Sequence, residues 1–581
     1  MIIEYLIIFT LVLALISVKW KRIAYALLSL DSLFFIWFGI NQFSLLNYLG
    51  VFSIVGGFVW FFSSLFSIFY DHEKWLAPSF ITSILGMQIA LISSTYLQFL
   101  AGYEIMTIPA YFAIGVNRLM KSPAFTFMAF GEFSTVLVLV GFLDAYLQTG
   151  SLYFQHVFTY LPLVLVSFGF MIKMGIFPFL VTEWLPIAHG SAPSNLSAIL
   201  SASMTLIAVY GLTRMAILSP SDIFLGLLLM AIGAFSTLFG SLYSYVNEHV
   251  KGLLAFSTVE NDGAILASIG LYISYPNHVL SLFALATVTL FVSAHSLAKT
   301  GLFLSTGLIQ GESISSSNTL KDTFSVVGVV LLTSSMSGLL PTLGGVATWA
   351  LLESLFMDAF VLHSVLSIIP ILVGTIIAMG EGFATAAMIK YVSFTQIFKT
   401  SYGKDIRKSA IVLTVGVLVL IAGSLSIFLF PSFISGTNLG VPPGFLLSSR
   451  FSSSAFGGIA PFFILFLIPF FSLLLILVFG KPKTRTAEVW NNGREIKDKY
   501  TSFAYSNNIR LMLRKLLRTK VLINGVEIAE DIFWIAMLKI SRSYIKFSKL
   551  IATAYMNSDL RIYMVYMIIA FIVVVLLVVV I

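Results

Sequence analysis

Apolar residues fill this chain in runs of about twenty, and polar or charged residues gather in short gaps between them. Coiled as a helix, a run of that length crosses roughly 30 Å of hydrocarbon. The pattern predicts about sixteen such spans, near 2–18, 23–40, 50–70, 79–98, 100–116, 123–147, 158–180, 193–217, 222–246, 251–274, 279–309, 322–358, 362–392, 408–430, 457–480 and 562–581. The fold class expected is therefore all-α and polytopic. Two runs carry their own interruptions: Lys173–His189 contains Pro178 and Pro186, and Leu339–Trp349 contains Pro341, Gly344 and Gly345. Broken helices in corresponding places of two halves point to a transport site in an inverted-repeat transporter. On that reading 1–78 holds N-terminal helices, 79–217 is one five-helix repeat, and 222–392 is the second. Helices in 408–480 complete the core, and 562–581 is a final anchor.

Between 481 and 561 the pattern changes to a charged, interrupted stretch. Within it, Ile528, Ile532, Ile535 and Leu538 recur at helical spacing in the segment Val526–Met556, with Lys and Arg on other faces. That predicts a helix along the membrane surface; a soluble helical cap would give the same pattern.

Composition sharpens this picture. The 581 residues are 59% hydrophobic and 10% charged, well under half of the roughly 25% charge of soluble domains. A net charge of +8 raises the thought of nucleic acid, but the basic residues sit in alternate gaps between spans. Lys19, Lys21, Lys74, Arg118, Lys121, Lys251, Lys321 and Lys404 fall on one side, as does everything basic from Lys481 to Arg561; Arg214 and Arg450 fall opposite. This bias predicts a plasma-membrane protein with basic loops and residues 481–561 in the cytoplasm, both termini outside, and no nucleic-acid partner. The N-terminal run lacks a basic leader and a small-residue cleavage site, so it reads as a retained first span. With no cysteine, the chain can form neither a disulfide nor a thiolate-held iron–sulfur cluster. Seven histidines lack a metal-ligand pattern such as HExxH.

A charge at bilayer depth costs at least about 2.5–3.5 kcal/mol, so each one needs a reason. The candidates are Glu104 in "AGYEIMTIPAYFAIG", Glu132 in "MAFGEFSTV", Lys173 in "GFMIKMGIFPF", and His295 and Lys299 in "AHSLAKTGLFLS". Glu353 and Asp358 in "TWALLESLFMDAF" and Lys390 in "FATAAMIKYVS" join them. A structural ion pair, or a side chain snorkelling to the interface, is the plain alternative, and it applies best to Lys390 and Glu381 near span ends. His295 and Lys299 share a helix face. A buried lysine exchanges its proton as carboxylates approach or retreat, which makes these groups a candidate relay for protons.

These segments resemble the antiporter-like, proton-pumping subunits shared by respiratory complex I, Mrp-type cation/proton antiporters and membrane-bound nickel–iron hydrogenases. The likeness is nearest to the large membrane subunit of the hydrogenase-4 and formate-hydrogenlyase type. It is carried in order by "YEIMTIPAYFAIG", "IKMGIFPF" with "WLPIAHGSAPSNLSAILS", "KGLLAFSTVENDGAIL", "HSLAKTGLFL", "GLLPTLGGVATWALLESLF" and "VWNNGREIKDKYTSFAYS", from about residue 50 to the end. The resemblance implies a fourteen-helix core with two inverted five-helix repeats, broken helices 7 and 12, and often a lateral helix. It implies that Glu104 is the glutamate of the fifth span and Lys173 the lysine of the broken seventh. His295 and Lys299 would bridge in the eleventh, and Lys390 would match a lysine of the hydrogenase branch. Three positions depart from the pattern: Leu206 stands where relatives carry a lysine, Thr348 where they carry Glu or Lys, and Ile187 where they carry Asp. Glu353, with Asp358 behind it, is expected to supply the acid missing at Thr348.

The function expected is proton (or Na⁺) translocation by a subunit of an energy-converting redox complex. It would carry no cofactor of its own and work with other membrane subunits and a peripheral iron–sulfur arm. A stand-alone or Mrp-type cation/proton antiporter is the first alternative. A polytopic membrane transferase is the second, and for it the loops offer only Asp71–His72–Glu73, a run that reads as a solvated turn.

Overall fold

In the computed structural model, residues 2–43, 48–70, 73, 75–115, 121–176, 184–274, 279–361, 365–397, 401–436, 474, 501–517, 519–522, 525–528 and 532–555 are described. Helices dominate. The first, α1 (Ile2–Asn41), joins the first two predicted spans across a kink at Trp20, whose φ of −122° and ψ of 59° leave the helical region. Then come α2 (Tyr48–Tyr70), α3 (Leu76–Ile92), α4 (Tyr96–Ile114), α5 (Lys121–Thr149), α6 (Leu161–Lys173), α7 (Trp184–Ser191), α8 (Ser194–Ile199) and α9 (Thr205–Leu218). A π-helical turn, Leu200–Met204, links the last two. The second set is α10 (Ile223–Val246), α11 (Val250–Ser274), α12 (Val279–Thr306), α13 (Thr323–Met336), α14 (Leu343–Val361), α15 (Ile368–Val392) and α16 (Ile406–Gly436). Among the described residues, nine helical stretches are long and apolar enough to cross a membrane. Apart from residue 474, the predicted spans at 457–480 and 562–581 lie outside the described residues.

Polar caps mark where helices leave the apolar layer. Thr95 opens α4 in a reciprocal capping box with Gln98, and Asp322 opens α13 in the same way with Ser325. Each box satisfies backbone N–H groups that a helix start leaves unpaired. A small sheet of β1 (Ile309–Gln310), β2 (Asn318–Leu320) and β3 (Ser401–Gly403) ties together the loops before α13 and before α16.

Small residues set the tightest contacts. Where α3 meets α4, a methyl group on Gly86 or Gly102 would run into the other helix's backbone. The α10–α11 pair is built alike, with Gly233 against Gly263 and Gly226 against Gly270. Without side chains between them, such helices gain contact through direct backbone approach, the usual device inside membranes. Both contacts lie within a few residues of an acid: Gly102 is two residues from Glu104, and Gly240 lies against the backbone of Glu260.

Contacts divide the chain into two units, Met1–Asn508 and Ile509–Ile581. Helix α17 (Ser502–Met512) is followed in the second unit by α18 (Arg514–Leu517), the antiparallel pair β4 (Thr519–Leu522) and β5 (Gly525–Ile528), and α19 (Ile532–Tyr555). The expected helix over Val526–Met556 is thus corrected at its start. Val526 and Ile528 belong to a strand pair, and helix begins at Ile532. The run "TKVLINGVEI" explains it: β-branched residues flank an Asn–Gly step, a strong hairpin signal that outweighs helical spacing over so short a stretch. Along α19, Tyr544, Ile545, Phe547 and Leu550 are exposed.

Candidate functional site

Two helix breaks organise the buried charges. The first lies after α6. Lys173 is the last residue of that helix, and Gly175 follows with φ of +71°, a conformation glycine adopts without steric cost. Helix resumes at Trp184, whose indole donates to the Ile172 carbonyl at 3.0 Å. Pro178 lies outside the described residues. Lys173 is buried, and its ammonium donates to Thr107 Oγ1 of α4 at 2.8 Å. The Tyr103 and Phe127 rings stand 5.2 and 5.1 Å from it, a placement that attracts a cation to ring faces. Gly131 leaves it room, since a β-carbon there would sit 3.6 Å from Nζ. Glu104, one turn before Thr107, and Glu132, beside Gly131, face one another at hydrogen-bond range and both act electrostatically on Lys173. Glu104 Oε1 has no hydrogen-bond partner. The sequence placed these three residues on separate spans, and the structure brings them together.

The second cluster lies on α11 and α12. Lys299 is fully buried and donates to the Leu254 carbonyl at 2.6 Å and to Ser257 Oγ. Glu260 and Asp262, both buried on α11, are the acids that act on it. His295, one turn before Lys299, places Nε2 3.9 Å from Asp262 Oδ1 and 3.4 Å from the Ser201 carbonyl. Ser201 belongs to the π-helical turn, and its hydroxyl lies 2.7 Å from that of Thr258 on α11. Extra-residue turns of this kind recur at functional sites because they re-aim backbone groups. At the position where a lysine is missing, Leu206 is buried. The polar link from α8–α9 to α11–α12 therefore runs through Ser201, Thr258 and His295.

The second break lies between α13 and α14. Gly338, with φ of +62°, follows α13, and α14 starts at Leu343. Its charged group comes from a different helix. Glu381 of α15 accepts from Thr348 Oγ1 at 3.3 Å, and its Oε2 lies 3.2 Å from where a β-carbon on Gly338 would be. It also acts directly on Glu260. Glu353, by contrast, takes as its partner Trp349 Nε1, one turn back on its own helix, at 3.1 Å. The structure does not bring Glu353 to Lys299 or His295. Five residues past Thr348 a helix has turned about 140° beyond a full circle, so the two side chains leave the helix on different faces.

Asp358 is buried on α14 with neither carboxylate oxygen hydrogen-bonded. Lys390 stands apart from both clusters. Its ammonium meets Glu248 Oε1 at 2.8 Å and the carbonyls of Tyr245 and Asn247 at 3.0 and 2.8 Å, closing the C-terminal end of α10. Ser502 and Ser506 bind the same pair, so this lysine anchors the start of α17. Cations suit helix C-termini, where carbonyls are unpaired.

Three residues were missed in the sequence, Glu260, Asp262 and His189, and Glu381 was read there as a residue near a span end. The first two announce themselves as "VENDG" in the middle of a long apolar helix, the signal that picked out Lys173. His189 is buried on α7 and stacks on Phe303 with ring centroids 4.6 Å apart; nothing in its spacing marks it.

Fold and site together define a class: a polytopic helical membrane protein with buried lysines and acids arrayed around two helix breaks. Residues 93–374 match the model of the family "NADH:quinone oxidoreductase/Mrp antiporter, TM". It is similar to hydrogenase-4 component B of Escherichia coli (strain K12), 32% identical over 244 residues, which are 39% of this chain and 36% of that protein. The chain thus spans about a third of that relative's length. Its fold is that of a chain of the membrane-bound sulfane sulfur reductase (MBS), an archaeal respiratory membrane complex, with a TM-score of 0.74 and 15% identity over 98% of this chain and 99% of that one. A chain of the Mrp complex from Dietzia sp. DQ12-45-1b gives a TM-score of 0.70 at 16% identity, covering 100% of this chain and 63% of the other.

Proposed function

We propose that this chain is the proton-translocating (or Na⁺-translocating), antiporter-like membrane subunit of an energy-converting redox complex of the hydrogenase-4 or complex I kind. The observation that carries the reading is Lys299, fully buried yet set among Glu260, Asp262 and His295. A charge cluster this deep is costly to insert, and a purely structural role would be served more cheaply by apolar packing. Lys173, with Glu104 and Glu132, forms its counterpart in the first group of helices. Residues 79–217 and 222–392 act as two transport halves, with the basic loops and 481–561 on the cytoplasmic side and both termini outside. Electron transfer takes place in partners bearing iron–sulfur clusters, because a chain without cysteine has no thiolate to hold one. A shift in the field of Glu104 frees or fixes the proton on Lys173, and the change passes by Ser201, Thr258 and His295 to Lys299.

Purification of the native complex followed by vesicle reconstitution tests this. Iron–sulfur partners, and redox-driven acidification of the lumen that Lys173→Ala lowers, are the expected result. A chain recovered without redox partners that exchanges Na⁺ for H⁺ under an imposed gradient would move the assignment to a secondary antiporter. Undiminished transport in both Lys173→Ala and Lys299→Ala would remove the relay altogether.

A further inference from the structure

We infer that Glu381 is the terminal proton-holding carboxyl of the second half, supplied from α15 to fill the acid position that Thr348 leaves empty on α14. The inference rests on the transport reading above. Three observations place the group. Its carboxylate accepts from the Thr348 hydroxyl at 3.3 Å, so an acid at 348 and the acid at 381 would occupy the same small space. It lies at the opening between α13 and α14, within 3.2 Å of the β-carbon position of Gly338. It is near enough to act electrostatically on Glu260, which in turn acts on Lys299.

Packing explains how α15 delivers it. Gly380 fits against Thr237 of α10, where a β-carbon would come within 2.9 Å of the threonine methyl, and Thr237 donates to the Glu260 carbonyl at 3.1 Å. Gly380 thus lets α15 approach α10 closely enough to set its neighbour, Glu381, beside Glu260. Thr385 bonds to the Ser337 carbonyl at 3.5 Å and to the Glu381 carbonyl at 2.9 Å, holding this turn of α15 at the break.

The proton sequence balances without a further reactant. The Lys299 ammonium loses H⁺ to the Glu260 carboxylate: an N–H bond breaks, an O–H bond forms, and both groups become neutral. Glu260 then passes H⁺ to the Glu381 carboxylate, regaining its charge, and Glu381 releases H⁺ at the break. Freed backbone at such a break is tolerated in a membrane where it lines a water-filled cavity.

The intact complex in reconstituted vesicles provides the test. Glu381→Gln keeps size and the Thr348 contact while removing the exchangeable proton. It should lower redox-driven proton uptake by about 10²-fold, the usual contribution of one positioned proton-transfer group, with the complex assembled and its redox turnover measurable under uncoupling. Glu381→Asp should retain more uptake than Glu381→Gln. Thr348→Glu added to Glu381→Gln should restore a measurable part of the uptake that Glu381→Gln loses. Parental uptake in Glu381→Gln overturns the inference; if Lys173→Ala and Lys299→Ala are still impaired, the transport reading survives it. Impairment in Glu381→Gln that neither Asp nor the Glu at 348 relieves also overturns it, assigning Glu381 to packing instead. Parental uptake in all of these variants, Lys173→Ala and Lys299→Ala included, removes the transport reading itself.

Discussion

The two helix breaks solve the same problem with opposite charges. After α6 the broken helix carries its own cation, because Lys173 is its terminal residue, and Thr107 with the Tyr103 and Phe127 rings receives the ammonium. Between α13 and α14 the broken helix contributes a hydroxyl, Thr348, and an anion arrives from α15. The charged side chain is supplied differently at each: from the broken helix itself at the first, and from a neighbouring helix at the second. The opening in the backbone fixes where a charged side chain can be placed, and that side chain can come from whichever helix lies alongside.

The largest test of that contrast removes the cation at the first break. Lys173→Ala should lower coupled proton uptake by about 10²-fold, with assembly intact by size-exclusion chromatography, and Lys299→Ala should match it. An effect confined to one lysine would mean that the two halves do not work in series.

Thr107→Val and Ser257→Ala remove the hydroxyl partners of Lys173 and Lys299. A hydrogen bond to a charged group is worth about 1.5–3 kcal/mol, so each change should slow uptake by about tenfold, measured as initial dye response. Equal losses would show that both lysines need holding; a loss at Thr107 alone would mark the second lysine as held by Glu260 and Asp262 instead.

Gly175→Ala and Gly338→Ala force a positive φ on a residue with a side chain, at a cost of about 1–2 kcal/mol each. Their surroundings differ. A β-carbon at 175 would lie 3.5 Å from Val259 Cγ2, in ordinary contact, whereas one at 338 would lie 3.2 Å from Glu381 Oε2 and 3.3 Å from Thr348 Oγ1. Both variants should lose thermal stability in detergent, and Gly338→Ala should lose uptake as well. Parity between them in uptake would put Glu381 outside the path.

The smallest effect belongs to Glu353→Gln. Gln keeps an acceptor for Trp349 Nε1, so the change should stay below about 1 kcal/mol in stability, with uptake near the parental rate. A marked fall in uptake would return the acid role to Glu353.

Much of this fold was legible because each span must bury its own backbone and present an apolar surface of fixed length. Lys173, Lys299 and Glu104 stood out since a charge inside such a run has few reasons to exist. What could not be read was pairing between helices. Glu381 looks like a residue near a span end until α15 is seen packed through Gly380 against Thr237. Lys390, read as a member of the path, finds Glu248 across a loop, a contact that no spacing within α15 encodes. The hairpin at 519–528 escaped for a different reason: four strand residues on each side are too few to overrule a helical pattern by periodicity alone.

With Gly226 set on Gly270 and Gly233 on Gly263, α10 and α11 form one stiff beam, backbone bearing on backbone. A pair joined this closely has little room to slide or re-pack at these four glycines. Glu260, mounted on it, keeps its place beside Gly240 and Thr237, while the Lys299 ammonium reaches in from α12 to the Leu254 carbonyl and Ser257. On the transport reading proposed above, proton movement past Glu260 is then timed by rotamers and water, on the order of nanoseconds to microseconds, and not by the microsecond-to-millisecond travel of whole helices.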